Sequence, residues 1–236
     1  MTNNTLNTPS QTSTAGAIIL EQAVIGRAGL ALTNPINLTL RPGTVTVVQG
    51  PNGIGKTTFL RVLAGLLPVM RGAIRAQIFG NKPTPVTPFD ARWMANVAWL
   101  PVSPGLPPSL TPYDVLAQLG RLGGAGSRPD TDRAISNWGL DHLVDMPIQY
   151  LSAGQRRRVD LARLTLDQRP IWLLDEPAVT LDSQGRDRLG AAIDQHRAAG
   201  GMIVMASHDT WQHSDWQRIT LTPDSAAATV TSAAHL

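Results

Sequence analysis

Cysteine is absent from the 236 residues, lysine occurs only twice, at Lys56 and Lys82, and the chain has only three Phe and two Tyr. Without thiols it forms no disulfide and holds no metal through thiolate, so its chemistry rests on oxygen and nitrogen groups. The zero count suits a reducing compartment. No stretch of about twenty apolar residues occurs, and no basic start precedes an apolar run, so the sequence predicts a chain that neither spans a membrane nor carries an export leader. The formal charge of +3 rests on arginine: 20 Lys+Arg less the two lysines leaves eighteen. Their one dense cluster is Arg156-Arg157-Arg158, and the rest of the charge is too scattered for a nucleic-acid surface. The length suits one α/β domain with a subdomain.

The most informative stretch is Gly50-Pro51-Asn52-Gly53-Ile54-Gly55-Lys56-Thr57-Thr58. It follows the β-branched run Val45-Thr46-Val47-Val48 and precedes Phe59-Leu60-Arg61-Val62-Leu63-Ala64, so a strand leads through a glycine loop into a helix, the context that a phosphate-binding loop requires. The glycines let backbone N–H groups curl around phosphate oxygens, and the helix start turns its partly positive end towards the same anion. Lys56 is expected to reach the β- and γ-phosphates and Thr57 to hold Mg²⁺. The predicted ligands are a nucleoside triphosphate and Mg²⁺.

Residues 1–16 are rich in Thr, Asn and Ser and read as a disordered lead-in. Strands are expected at 18–25, 36–40, 72–79, 96–100, 171–174, 202–206 and 216–221, and the prolines at 83, 85 and 88 argue against regular structure over 80–92. From 101 to about 169 the pattern turns helical, with helices near 112–121, 129–138 and 154–167 broken by a loop at 123–129. A further helix is expected at 183–198, and the segment 223–236 reads as a loose tail.

A second chemical stretch, Ile171-Trp172-Leu173-Leu174-Asp175-Glu176-Pro177, is an apolar strand that ends in two carboxylates. A parallel sheet delivers such acids to the mouth of a site at its carboxyl edge. Asp175 would then hold Mg²⁺ and Glu176 would polarise an attacking water.

Between these stretches lies Leu151-Ser152-Ala153-Gly154-Gln155, a helix start with Ser152 as N-cap and Gly154 allowing close backbone approach. This pentapeptide, after the phosphate loop and about twenty residues before the acidic pair, resembles the signature sequence of ABC ATPases, and the pieces stand in that family's order over roughly residues 18–222. The resemblance implies a single P-loop NTPase domain over 17–222, with a RecA-like core, an N-terminal antiparallel β part and a helical subdomain at 101–169. It also implies a head-to-tail dimer in which Ser152, Gly154 and Gln155 of one copy face the nucleotide held by another. Asp182 resembles the loop that senses the opposite subunit, and His208 resembles the switch histidine beside the γ-phosphate. Arg156-Arg157-Arg158 reads as the solvated, anchoring face of the signature helix, with Arg156 and Asp160 spaced to pair. His142, His196, His213 and His235 have no partners at metal spacing and read as structural.

Two positions depart from the family pattern. Val102 stands where a glutamine usually contacts Mg²⁺ and water, and valine ligates no metal. The aromatic residue expected to stack on adenine is missing, with Arg27 the nearest substitute. Within the family, the compact chain, the Trp-containing strand before Asp175 and the Pro104-Gly105-Leu106 loop look most like the ATP-binding subunits of cytochrome c maturation transporters, or haem exporters. That branch implies a transport-coupled ATPase, peripheral at the cytoplasmic face of the inner membrane and docked on a separate transmembrane subunit. The runner-up is the ATPase subunit of another small importer or exporter. A soluble ABC protein acting on DNA or ribosomes would usually show a long coiled coil or a second cassette, and a regulatory subunit without turnover would be expected to lack Glu176.

Overall fold

The computed structural model describes residues 16–77, 84–87, 89–123, 128–208, 213–223 and 230–231. β1 (Ile18–Val24) runs into a tight hairpin, β2 (Gly26–Arg27) and β3 (Leu30–Ala31), whose turn residues Ala28 and Gly29 both have positive φ, 50° and 80°. Two successive left-handed residues match the twist of a two-residue hairpin, though alanine gives little sequence signal for it. β4 (Ile36–Leu40) returns antiparallel along β1, and β5 (Val45–Gln49) leads through the phosphate loop into α1 (Lys56–Leu63). β6 (Arg71–Ala76) pairs with the other side of β1, and β7 (Thr84–Pro85) lies on the outer edge of β6, where a proline's missing N–H is harmless. The short helix α2 (Ala91–Met94) is capped by Asp90, whose carboxylate accepts from the Arg92 amide, and β8 (Val97–Leu100) follows.

The next segment holds α3 (Pro112–Gly123), α4 (Arg128–Asn137), two single 3-10 turns and α5 (Ala153–Thr165). β9 (Ile171–Asp175), α6 (Ser183–Ala198), β10 (Met202–Ala206), β11 (Gln217–Thr220) and β12 (Val230–Thr231) complete the described chain. The strands form an antiparallel sheet in the order β4-β1-β6-β7 and a larger sheet in the order β12-β11-β5-β10-β9-β8. In the larger sheet β11, β5, β10, β9 and β8 are parallel.

Residues of β9 are buried throughout and divide between two cores by strand alternation. Trp172 and Leu174 pack into the cluster under α3 to α6, whereas Ile171 and Leu173 pack with Phe59, Leu60 and the antiparallel sheet. Truncating such a residue, for example Leu173→Ala, costs about 2–5 kcal/mol.

Several boundaries differ from expectation. The strand predicted at 72–79 is Arg71–Ala76, with residues 78 and 79 outside the described set. Residues 80–92, expected to be irregular, contribute β7 and the start of α2. Val230 and Thr231 pair with Ile219 and Arg218 where a loose tail was expected, while the rest of 224–236 and the lead-in 1–15 lie outside the described residues. Among the described residues no helix is long and apolar enough to cross a membrane.

Candidate functional site

β10 lies between β5 and β9 in parallel register, with Ala206 beside both Val48 and Asp175, so three carboxyl-terminal strand ends stand side by side. The chain leaves β5 at Gly50, and a Cβ at this position would come 2.9 Å from the Leu221 carbonyl. Gly55 takes φ 107° as the N-cap of α1, a left-handed conformation that brings the loop backbone over the helix start. A cavity of about 580 Å³ opens here. The loop supplies Asn52, Gly53, Gly55, Lys56, Thr57 and Thr58 to its wall; β9 and β10 deliver Asp175, Glu176 and His208.

Lys56 Nζ donates to the Gly50 and Pro51 carbonyls at 2.8 and 3.2 Å and lies 2.9 Å from His208 Nε2. Burial pulls the lysine's pKa down, opposed by the charges of Glu176 and Asp175. Asp175 is held up chiefly by desolvation, against a hydrogen bond from Thr57 and the positive charge of Arg61. Desolvation likewise raises Glu176, against the His208 amide and ring. Opposed perturbations converging in one cleft mark a site where charge is handled. The Thr57 hydroxyl and Asp175 carboxylate are hard oxygen donors in mutual contact, a set that fits Mg²⁺. Among the described residues no group of three His, Cys, Asp or Glu side chains forms a metal site of its own.

Glu176 adopts φ 46°, unusual for a residue with a side chain, and its amide donates to the Ala206 carbonyl at 2.9 Å. Its Oε1 lies 3.4 Å from His208 Nε2, and its Oε2 accepts from the His208 amide at 3.4 Å.

Ser152, Gly154 and Gln155 lie outside this cavity's wall. Ser152 caps α5 in a reciprocal box: its hydroxyl accepts from the Gln155 amide and its own amide donates to Gln155 Oε1. Gly154 meets the expected close approach, since a Cβ there would sit 2.7 Å from the Thr180 carbonyl. Asp182 also stands outside the wall, capping α6 through the Gly185 amide and pairing with Arg158 Nη2 at 2.5 Å.

The arginine triplet is not uniformly solvated. Arg157 is 2% exposed, and its guanidinium bonds main-chain carbonyls of Asp175, Glu176, Pro177 and Pro101. Nor does Arg156 pair with Asp160, because its Nη1 turns back to the Leu151 carbonyl, while Asp160 is held by Arg163 at 2.8 Å. Helical spacing accounts for the inward turn of Arg157. Arg157 stands four and seven residues before Leu161 and Leu164, on the buried stripe.

Val102 lines the cavity, as do Arg27, Leu32 and Arg61. Arg61 was not singled out from sequence, although its place four residues after Thr57 puts it on the same helix face. His196 stacks on Trp172 and His213 on Trp216, so both are packing residues, and His235 lies outside the described residues.

A phosphate loop, an acidic strand end and a histidine at three adjacent strand ends define a P-loop nucleoside triphosphatase. The ABC transporter family model matches residues 33–179. The "Cytochrome c biogenesis ATP-binding export protein CcmA" of Maricaulis maris is 38% identical over 199 residues, 84% of this chain and 88% of that protein. The protein of the same name from Bordetella bronchiseptica is 38% identical over 198 residues, 82% of this chain and 84% of that one. This chain belongs to the ABC transporter family, as an ATP-binding subunit. Its fold matches a putative ABC transporter ATP-binding protein from Pyrococcus furiosus with TM-score 0.74 at 24% identity, covering 87% of this chain and 97% of that one.

Proposed function

We propose that this chain is the ATP-hydrolysing subunit of a membrane transporter serving c-type cytochrome biogenesis, with turnover coupled to haem handling. The observation that carries the ATPase reading is the convergence of Lys56, Thr57, Asp175, Glu176 and His208 on one cavity; the relatives' printed names carry the biogenesis reading.

Lys56 and the loop amides bind and neutralise the β- and γ-phosphates of ATP. Thr57 and Asp175 hold Mg²⁺, which when bound supplies further neutralisation of phosphate charge. The Glu176 carboxylate accepts a hydrogen bond from the attacking water and orients it, with His208 beside the same γ-phosphate. Val102 contributes only an apolar wall. Ser152 and Gly154, exposed or half-exposed at the start of α5 and away from this copy's cavity, complete the site of a second copy in a head-to-tail pair, with Asp182 near the join. The pair docks on a separate transmembrane subunit at the cytoplasmic face of the inner membrane.

Deleting the gene in its source organism and staining for covalently bound haem tests the assignment. Loss of holo-cytochromes c, restored by the parent gene and not by one encoding Glu176→Gln, is the expected result. Normal holo-cytochrome levels in the deletion strain would place the chain in another transporter.

A further inference from the structure

Of the three consecutive arginines on α5, the middle one turns inward and the interior offers it carbonyls rather than a carboxylate within hydrogen-bond reach. Arg157 Nε donates to Pro177 O at 3.0 Å, Nη1 to Pro101 O at 2.6 Å and weakly to Val102 O at 3.5 Å, and Nη2 to Asp175 O at 3.0 Å and Glu176 O at 2.9 Å. The nearest acid, Asp160, stands 3.8 Å away. A guanidinium has five N–H donors, so these contacts leave none for a ligand.

The recipients belong to two segments with separate parts in the site. One is the strand end that presents Asp175 and Glu176; the other is the turn that places Val102 in the cavity wall. The donor rides on the helix that Ser152 caps. Glu176 keeps a left-handed φ of 46°, which a residue with a side chain holds only where its surroundings fix both flanking peptides. Ala206 O holds the Glu176 amide; Arg157 holds the carbonyls of both flanking peptides, those of Asp175 and Glu176, the second shared with the Val179 amide at 3.3 Å.

We propose that Arg157 is a positioning residue for hydrolysis. It fixes the peptides around Glu176, and so the aim of the carboxylate, and it ties that aim to the position of α5 and to the wall at Val102. With valine at that wall, the link between α5 and the water-orienting group runs through main-chain carbonyls held by one guanidinium. The inference rests on the ATPase reading above.

The test uses the full chain with Mg-ATP, comparing the parent, Arg157→Gln, Arg157→Lys, Glu176→Gln and each Arg157 variant combined with Glu176→Gln. Misaiming a catalytic group by about 1 Å costs on the order of 10²-fold, so kcat of Arg157→Gln should fall roughly 30- to 100-fold. Its KM and its ATP dissociation constant should stay within about threefold of the parent, because the phosphate loop is built on other elements. Arg157→Lys, which keeps the charge and part of the donor set, should fall between them. The combined variants should be no slower than Glu176→Gln alone, within about threefold, because the aim no longer matters once the charge is gone. If Arg157→Gln fails to fold, Arg157→Lys and its combination carry the same comparison. Nucleotide affinity falling in step with kcat, or a combined variant slower than Glu176→Gln by the full single-variant factor, would overturn the proposal and leave Arg157 a core residue. A parent that binds ATP without turning it over would instead overturn the ATPase reading, and the positioning role with it.

Discussion

Lys56 Nζ stands 2.9 Å from His208 Nε2, joining the phosphate loop to the end of the neighbouring strand β10. An ammonium group only donates, so the Lys56 side of this contact is the donor. Two carbonyls of the loop take the other donors of Lys56. A phosphate entering the loop would compete for all of these donors, and in the proposed site His208 would stand beside it.

Replacing Lys56 by alanine should therefore weaken Mg-ATP binding sharply. Losing a hydrogen bond to a charged group costs about 1.5–3 kcal/mol, or roughly 10- to 150-fold in dissociation constant. Titration calorimetry on the purified chain measures it. An unchanged constant would remove Lys56 from the nucleotide site.

Glu176→Gln keeps the shape of the side chain and loses its charge, so ATP should still bind while hydrolysis falls by about 10²-fold or more. Burial holds the parent carboxyl above its ordinary value of 4.5. In the proposed reaction the ionised form orients the water, so the acid limb of the parent's kcat/KM profile should lie above that value. A limb at or below it would separate Glu176 from the essential ionisation.

His196 gives a pH effect on stability alone. Burial pulls it from 6.5 down to about 4, with its ring against Trp172 and its Nε2 3.2 Å from the Pro170 carbonyl. A folded-state pKa below the unfolded one means that the unfolded chain binds more protons between pH 6.5 and about 4. Stability from this residue is complete above 6.5 and is lost as the pH falls towards 4. The parent should lose more unfolding free energy over this range than His196→Gln does, as read from urea transitions at several pH values. Parallel losses would show that His196 titrates alike in both states.

Local signals made the phosphate loop legible in the sequence. Its residue types, the β-branched run before it and the helix after it lie within about twenty residues, and the structure keeps them together in that order. The acidic strand end was readable for the same reason. The inward turn of Arg157 was harder to see, because three like residues in a row hide which one faces the core, and only the stripe through Leu161 and Leu164 betrays it. The hairpin at 26–31 escaped because Ala28 occupies a left-handed turn position usually announced by Asn or Asp. Which copy Ser152 serves is not a local property of the chain.

That question has a direct experiment. Lys56→Ala and Ser152→Arg should each abolish turnover as homodimers, the first at the phosphate loop and the second by placing a bulky cation where one copy faces the other. In a mixed dimer one composite site carries both lesions and the other carries none, so activity should partly return. Turnover of the parent should also rise faster than linearly with protein concentration, until docking on a membrane partner fixes two copies together. Mixed dimers without recovered activity would rule out the shared site.

The sheet order gives the chain a timetable. Residues of the phosphate loop are synthesised by position 58, yet the strand leading into it, β5, has as its sheet neighbours β10 and β11, which begin at Met202 and Gln217. At about 5–20 residues per second the ribosome needs roughly ten to thirty seconds to supply them, and in that interval the apolar run Val45–Val48 has no partner strand. The nucleotide site therefore forms late in synthesis, and a fragment ending before Met202 should not bind ATP. Once the chain is complete, ATP that binds the folded and not the unfolded form raises the folded-to-unfolded ratio by a factor of one plus the ATP concentration divided by Kd.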